Sequence, residues 1–252
     1  MAVSNMSGHF SLDMLERVAG HFSPPRESFR PAGAWENRYT LYCLVHNNRK
    51  KPVYGNPAGG LIIGRYEESG RRMLRIDYRK IMDRGLYHRI VGEIEILSDV
   101  LATPVRWTMT VEFARGDSPP HSWSQSEHGM RVQGGRLELS AAGSKRTLPR
   151  PAAYTSAWAL LDAVQRMPRQ AGGTLRFTFF DRNNAAKAGH ILRYREAVEV
   201  ESMGPGGSPV RLHGFEHLGD GFVPSVYWTG DSGRLLMFNH GLQGYVLQTD
   251  ET

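Results

Sequence analysis

The 252 residues are 40% hydrophobic and 10% aromatic, which excludes a disordered chain and supplies material for a packed core. A formal charge of +6 and a pI near 9.6 suit an anionic partner. Lys and Arg are interspersed with Asp and Glu, however, and no basic helix accompanies them, so a nucleic-acid role is not expected.

The chain reads as an N-terminal helical and extended arm, residues 1–34, followed by one β domain, residues 35–252. In the arm, Leu12, Leu15 and Val18 fall together on a short helix that ends near Gly20, and SPPRESFRPAG (23–33) forms an extended cover strip. Strand alternation begins at Tyr39, with Leu41, Cys43 and Val45 on the same side of the pleat. NNRKKPVYGNPAGG (47–60) follows as a turn-rich stretch, and its Arg49-Lys50-Lys51 run reads as a solvated turn. LIIGRY and the run Leu74, Ile76, Tyr78 then form a hairpin about Ser69-Gly70. The next strand carries Ile90, Ile94 and Ile96.

From Val105 to Phe113 the code is cleanest. Val105, Trp107, Met109, Val111 and Phe113 point one way, while Arg106, Thr108, Thr110 and Glu112 point the other. One dry face and one wet face imply an antiparallel sheet. Gly116 to Gly129 reads as a polar loop, Met130 to Ser140 as a hairpin about Gly134-Gly135, and Ala141 to Pro151 as a lead-in to a helix.

That helix, 155–167 (TSAWALLDAVQRM), has a Thr/Ser start, an apolar stripe of Trp158, Leu161, Val164 and Met167, and a stop at Pro168. Beyond it, strands fit Leu175–Phe179, Ile191–Glu201, Val210–Leu218, Phe222–Trp228, Arg234–Phe238 and Gly244–Leu247. GPGGSP (204–209) and Gly230-Asp231-Ser232-Gly233 are turns between them. One helix among strands with short turns predicts a mainly β fold: a single large curved antiparallel sheet, a half-barrel or open barrel, wrapped around one central helix.

This order, with the closing PSVYWTGDSGRLLMFNHGLQGYVL, resembles the curved half-barrels of the bacterial LolA/LolB-like carriers and related uncharacterised bacterial proteins. The likeness spans Tyr39 to Gln248, and LSDVLATPVRWTMTVEF is similar to a stretch in those uncharacterised proteins. The resemblance implies the half-barrel and a lipid-like ligand, and carries no catalytic residue across. Those carriers are exported, whereas MAVSNMSGHFSLDM has neither the basic start nor the apolar run of a leader, so a cytoplasmic protein is the expectation here. No stretch reaches the length of a membrane span, which leaves peripheral membrane contact open. Oligomeric state is not set by the sequence.

Several groups can carry chemistry. His213-Gly214-Phe215-Glu216-His217 fits the H-x-x-E-H spacing of zinc peptidases, but Gly214 and Gly219 weaken the helix that chemistry needs, so no metal is expected. On a strand, His213 and His217 share a face, and with Asp220 they form an acid/base set, His217 pairing with Asp220. His240, between Asn239 and Gly241, reads as an exposed turn residue. Cys43 is a small buried hydrophobe, and being alone it permits neither an intrachain disulfide nor a cysteine zinc cluster. No phosphate loop or other cofactor motif is found, and no cofactor is expected. Trp107, Met109, Trp158, Leu161 and Met167 lie between sheet and helix, where they fill a core or line a slot for an acyl or polycyclic guest. Three readings follow: a noncatalytic binder of an apolar or amphipathic small molecule, a cofactor-independent enzyme using His213, His217 and Asp220, and a structural or interaction protein with a filled core.

Overall fold

The computed structural model describes residues 28–46, 52–82, 85–115, 118–181, 185–200 and 209–248. The helix expected at Leu12–Val18, the first part of the cover strip, the Arg49–Lys51 turn and most of GPGGSP lie outside the described residues.

The chain forms a fifteen-stranded curved sheet built from two meanders. The first comprises β1 (Trp35–His46), β2 (Pro52–Glu68), β3 (Arg71–Ile81), β4 (Leu86–Ile96), β5 (Pro104–Arg115), β6 (Ser118–Val132), β7 (Arg136–Ala141) and β8 (Ser144–Pro149). The second comprises β9 (Tyr154–Ser156), β10 (Thr174–Phe180), β11 (Ala186–Val200), β12 (Val210–Leu218), β13 (Ser225–Thr229), β14 (Leu235–His240) and β15 (Gln243–Leu247). β15 pairs antiparallel with β1, from Tyr39 opposite Leu247 to Cys43 opposite Gln243, and so joins the two meanders. The sheet therefore begins and ends with β8 and β9, which are neighbours in sequence and opposite edges in space.

Two edges that must stay close in sequence force the sheet to roll. β9 does not pair with β8. It lies against the start of β5 instead, where Tyr154 Oη donates to Pro104 O (2.7 Å) and Thr155 Oγ1 donates to Leu101 O (2.8 Å). The expected mainly β, open-barrel architecture is what the chain adopts, with one amendment. β9 runs parallel to β10, Tyr154 opposite Thr178, so the sheet is not antiparallel throughout. The reason is the helix, which serves as the crossover that a parallel pair requires.

The helix is shorter than 155–167. Thr155 and Ser156 belong to β9, α1 covers Ala159–Ala163, and a 3-10 turn follows over Val164–Arg166. Thr155 is drawn into the strand by its bond to Leu101 O, while Ser156 Oγ still accepts from the backbone N–H of Ala159 (3.2 Å). Trp158, Leu161, Val164 and Met167 are all buried, yet so are Asp162 and Gln165, so α1 has no wet face there.

Those two polar residues lock the helix inside the roll. Asp162 Oδ2 accepts from Arg166 (2.6 Å), and its Oδ1 faces Arg65 Nη1 of β2 at 3.6 Å. Burial pushes this carboxyl up, opposed by Arg166 and Arg65. Gln165 bonds Asn37 of β1 (3.1 Å), accepts from the Leu235 N–H of β14 (3.0 Å), and donates to its own helix at Leu161 O (3.0 Å). Near the end of the arm, Pro31 O accepts from Trp35 and Arg65.

Four further readings are amended. Pro52–Gly60 and Ser118–Gly129 are strand rather than turn and loop, and Ser144–Pro149 is a strand rather than a lead-in. In each case pairing with a long neighbour overrides a Pro/Ser/Gly-rich composition. His240 ends β14 rather than standing in a turn, half-buried beside Phe222.

Removing the Asp162 carboxylate leaves the buried Arg65 and the half-buried Arg166 facing each other without an anion. Asp162→Ala is expected to destabilise by about 3–5 kcal/mol, and Asp162→Asn by less, in urea unfolding.

Candidate functional site

The inner face of β4, β5 and β6 alternates large and absent side chains. Ile94, Trp107 and Gly129 stand in register across the three strands, as do Gly92, Met109 and Glu127. A Cβ on Gly129 would come within 2.0 Å of the Trp107 ring, and one on Gly92 within 2.4 Å of Met109 Sδ. Only glycine lets these two side chains lie flat on the neighbouring strand.

Where β9 and α1 approach this face, a crevice of about 30 Å³ remains, lined by Trp107, Met109, Glu127, Trp158, Phe180 and Asp181 among others. That is room for roughly one water. Trp107, Met109 and Trp158 thus meet at one place, while Leu161 and Met167 are buried in the continuous core and do not line it. The deeper slot for an acyl or polycyclic guest is occupied by side chains.

Glu127 gives the crevice its chemistry. It is 5% exposed, and its one described hydrogen bond is from Gln125 Nε2 to Oε1 (3.3 Å). Burial pushes its carboxyl upward. Asp181 at the same crevice is paired with Lys187 (3.0 Å). Toward the other end of β5 and β6, Phe113 stands opposite Trp123, with ring centroids 5.7 Å apart. His88 stacks on Phe113 at 4.4 Å and meets Tyr78 edge-on at 5.5 Å, so an aromatic row crosses β3 to β6 and ends at Trp123, which is 50% exposed.

His213, His217 and Asp220 do not converge. His213 and His217 sit on strand β12, not on a helix, and each bonds elsewhere. His213 Nε2 lies 2.8 Å from Asp231 Oδ1 in the β13–β14 turn, and its Nδ1 lies 3.4 Å from Tyr194 Oη. His217 Nε2 lies 2.8 Å from His190 Nδ1, so the expected His217–Asp220 pair is replaced by a histidine pair, and Asp220 is exposed in the turn after β12. Phe177, Phe179 and Phe222 surround the two imidazoles. His190 Nε2 and His217 Nδ1 are buried without described partners. Among the described residues, no three His, Cys, Asp or Glu are disposed to hold a metal ion, and no helix is long and apolar enough to cross a membrane.

Sequence reasoning missed Glu127, Phe180 and His190. Glu127 had a signal: Trp123, Gln125, Glu127 and Gly129 alternate with Ser124, Ser126 and His128, the period of a strand. His190 had none beyond its even spacing from Leu192.

No family profile matches the chain, and no curated protein matches it. Among solved structures it is similar to a β-barrel-like protein of a domain of unknown function, DUF1849, from Brucella abortus. The identity is 10%, the match covers 88% of this chain and 98% of that one, and the TM-score is 0.55. At that identity the likeness concerns the fold alone.

The histidine pair has a measurable cost in acid. Burial lowers both imidazoles, His217 to about 2 with His190 adding to the effect. The unfolded chain therefore takes up protons first as pH falls below about 6.5, so the pair's contribution is complete above that pH and declines toward about 2. The double variant His190→Phe/His217→Phe is expected to lose less stability than the parent between pH 7 and 5, read as the urea midpoint at each pH; parallel losses would contradict this.

Proposed function

We propose that this chain is a noncatalytic binding protein for an amphipathic small molecule, held with its polar end in the crevice and its apolar part along the inner face of β5 and β6. One observation carries the reading: a carboxyl buried from solvent lines a small space walled by Trp107, Trp158 and Phe180. From Glu127 to Trp123 is four residues of strand, about 13 Å, along which Val111 and Phe113 face the same side. The lipid-like ligand implied by the resemblance to LolA/LolB-like carriers accords with such a trough.

The enzyme reading finds support in the Tyr194–His213–Asp231 series, where a carboxylate orients an imidazole beside a phenol. His217, enclosed by phenylalanines, and Asp220, exposed in its turn, do not join that series.

The binding reading is tested with dodecanol within its aqueous solubility, a neutral probe whose small head fits the crevice. Tryptophan fluorescence is expected to change saturably at one probe per chain, with a matching adduct in native mass spectra. Trp123→Ala is expected to weaken binding about fivefold through lost apolar contact. No saturable change and no adduct would overturn it.

A further inference from the structure

We infer that the polar end recognised in the crevice is a protonated amine, primary or N-methylated; this rests on the binding reading above. A carboxyl removed from water needs either a proton or a countercharge. Among the described residues no Arg, Lys or His bonds Glu127, whose only donor is the neutral amide of Gln125 at 3.3 Å. The other acid at the crevice, Asp181, already has Lys187. Ionised, Glu127 makes the charge at this spot negative, within a chain whose formal total is +6.

The walls suit the same group. The faces of Trp107, Trp158 and Phe180 carry the negative part of the aromatic quadrupole and attract cations, and the Trp107 and Phe180 centroids lie 6.2 Å apart. The volume of about 30 Å³ admits an ammonium-sized group, not a sugar or a phosphodiester. Trp107 on Gly129 and Met109 on Gly92 are fixed by close contact, so the walls need little rearrangement. A carboxylate or phosphate head meets Glu127 as a like charge, and an alcohol leaves Glu127 without a countercharge.

The test compares four probes with the same tail on the full chain: dodecylamine and N-methyldodecylamine as cations, dodecanol as the neutral probe, and dodecanoate as the anion, all followed by tryptophan fluorescence. Either cation is expected to bind at least tenfold tighter than dodecanol, with dodecanoate weakest. Glu127→Gln, which keeps the shape of the side chain, is expected to reduce the cations to the affinity of dodecanol and leave dodecanol unchanged. Equal affinities in the parent chain, or a cation preference that survives Glu127→Gln, would overturn the amine while leaving the binding reading standing. Failure of all four probes would overturn both. Should Glu127→Gln not fold, the ranking of the four probes by the parent chain decides alone.

Discussion

The carboxylate of Asp162, held inside the roll between Arg65 and Arg166, is the contact on which the rest of the architecture depends. A single α-helical turn with a 3-10 extension is too short to be stable by itself. What keeps α1 in place is the set of polar side chains it sends to strands distant in sequence: Asp162 to β2, and Gln165 to β1 and β14. Burying a charge in this way is costly and contributes little net stability, but together with Gln165 it ties the helix to three strands in one orientation. The helix in turn sets where Trp158 lies and where β9 can run.

From that placement comes the seam. β8 and β9 are consecutive in the chain and cannot both be interior strands, and α1 carries the chain across to make β9 a parallel edge of the second meander. β9 is tied to the roll by Tyr154 and Thr155 rather than by a ladder with β8. An edge that side chains hold, and a continuous ladder does not, leaves a gap beside it. Glu127, Trp107 and Phe180 line the gap, and Trp158 helps to bound it. The same device that lets the sheet close around its helix therefore creates the one crevice where a buried acid meets several aromatic rings.

Much of this was legible from residues alone, and the failures are informative. The alternation of Trp107, Met109 and Val111 declared both the strand and its dry face, because one side of β5 is solvated and the other packed. The hairpin at Ser69-Gly70 and the turn at 230–233 were equally plain. The helix was found but overextended, since Thr155 and Ser156 suit a strand end as well as a helix start, and only pairing with β10 decides between them. Asp162 and Gln165 lie off the apolar stripe that marked the helix, and their burial was not foreseen because periodicity records polarity and not partners. Glu127 was lost with β6, whose serines and prolines read as loop when its neighbours β5 and β7 are out of sight. His217 was singled out for a pair with Asp220, but its partner, His190, comes from a register between β11 and β12 that no local spacing announces.

Peptide-level hydrogen exchange, with and without saturating dodecylamine, tests the seam as a binding place most directly. The account predicts added protection confined to 154–160 and 123–129, on the two sides of the gap, with the strands around His190 and His217 unchanged. Protection gained instead around His190 and His217, or none at the seam while the probe is bound, would contradict it.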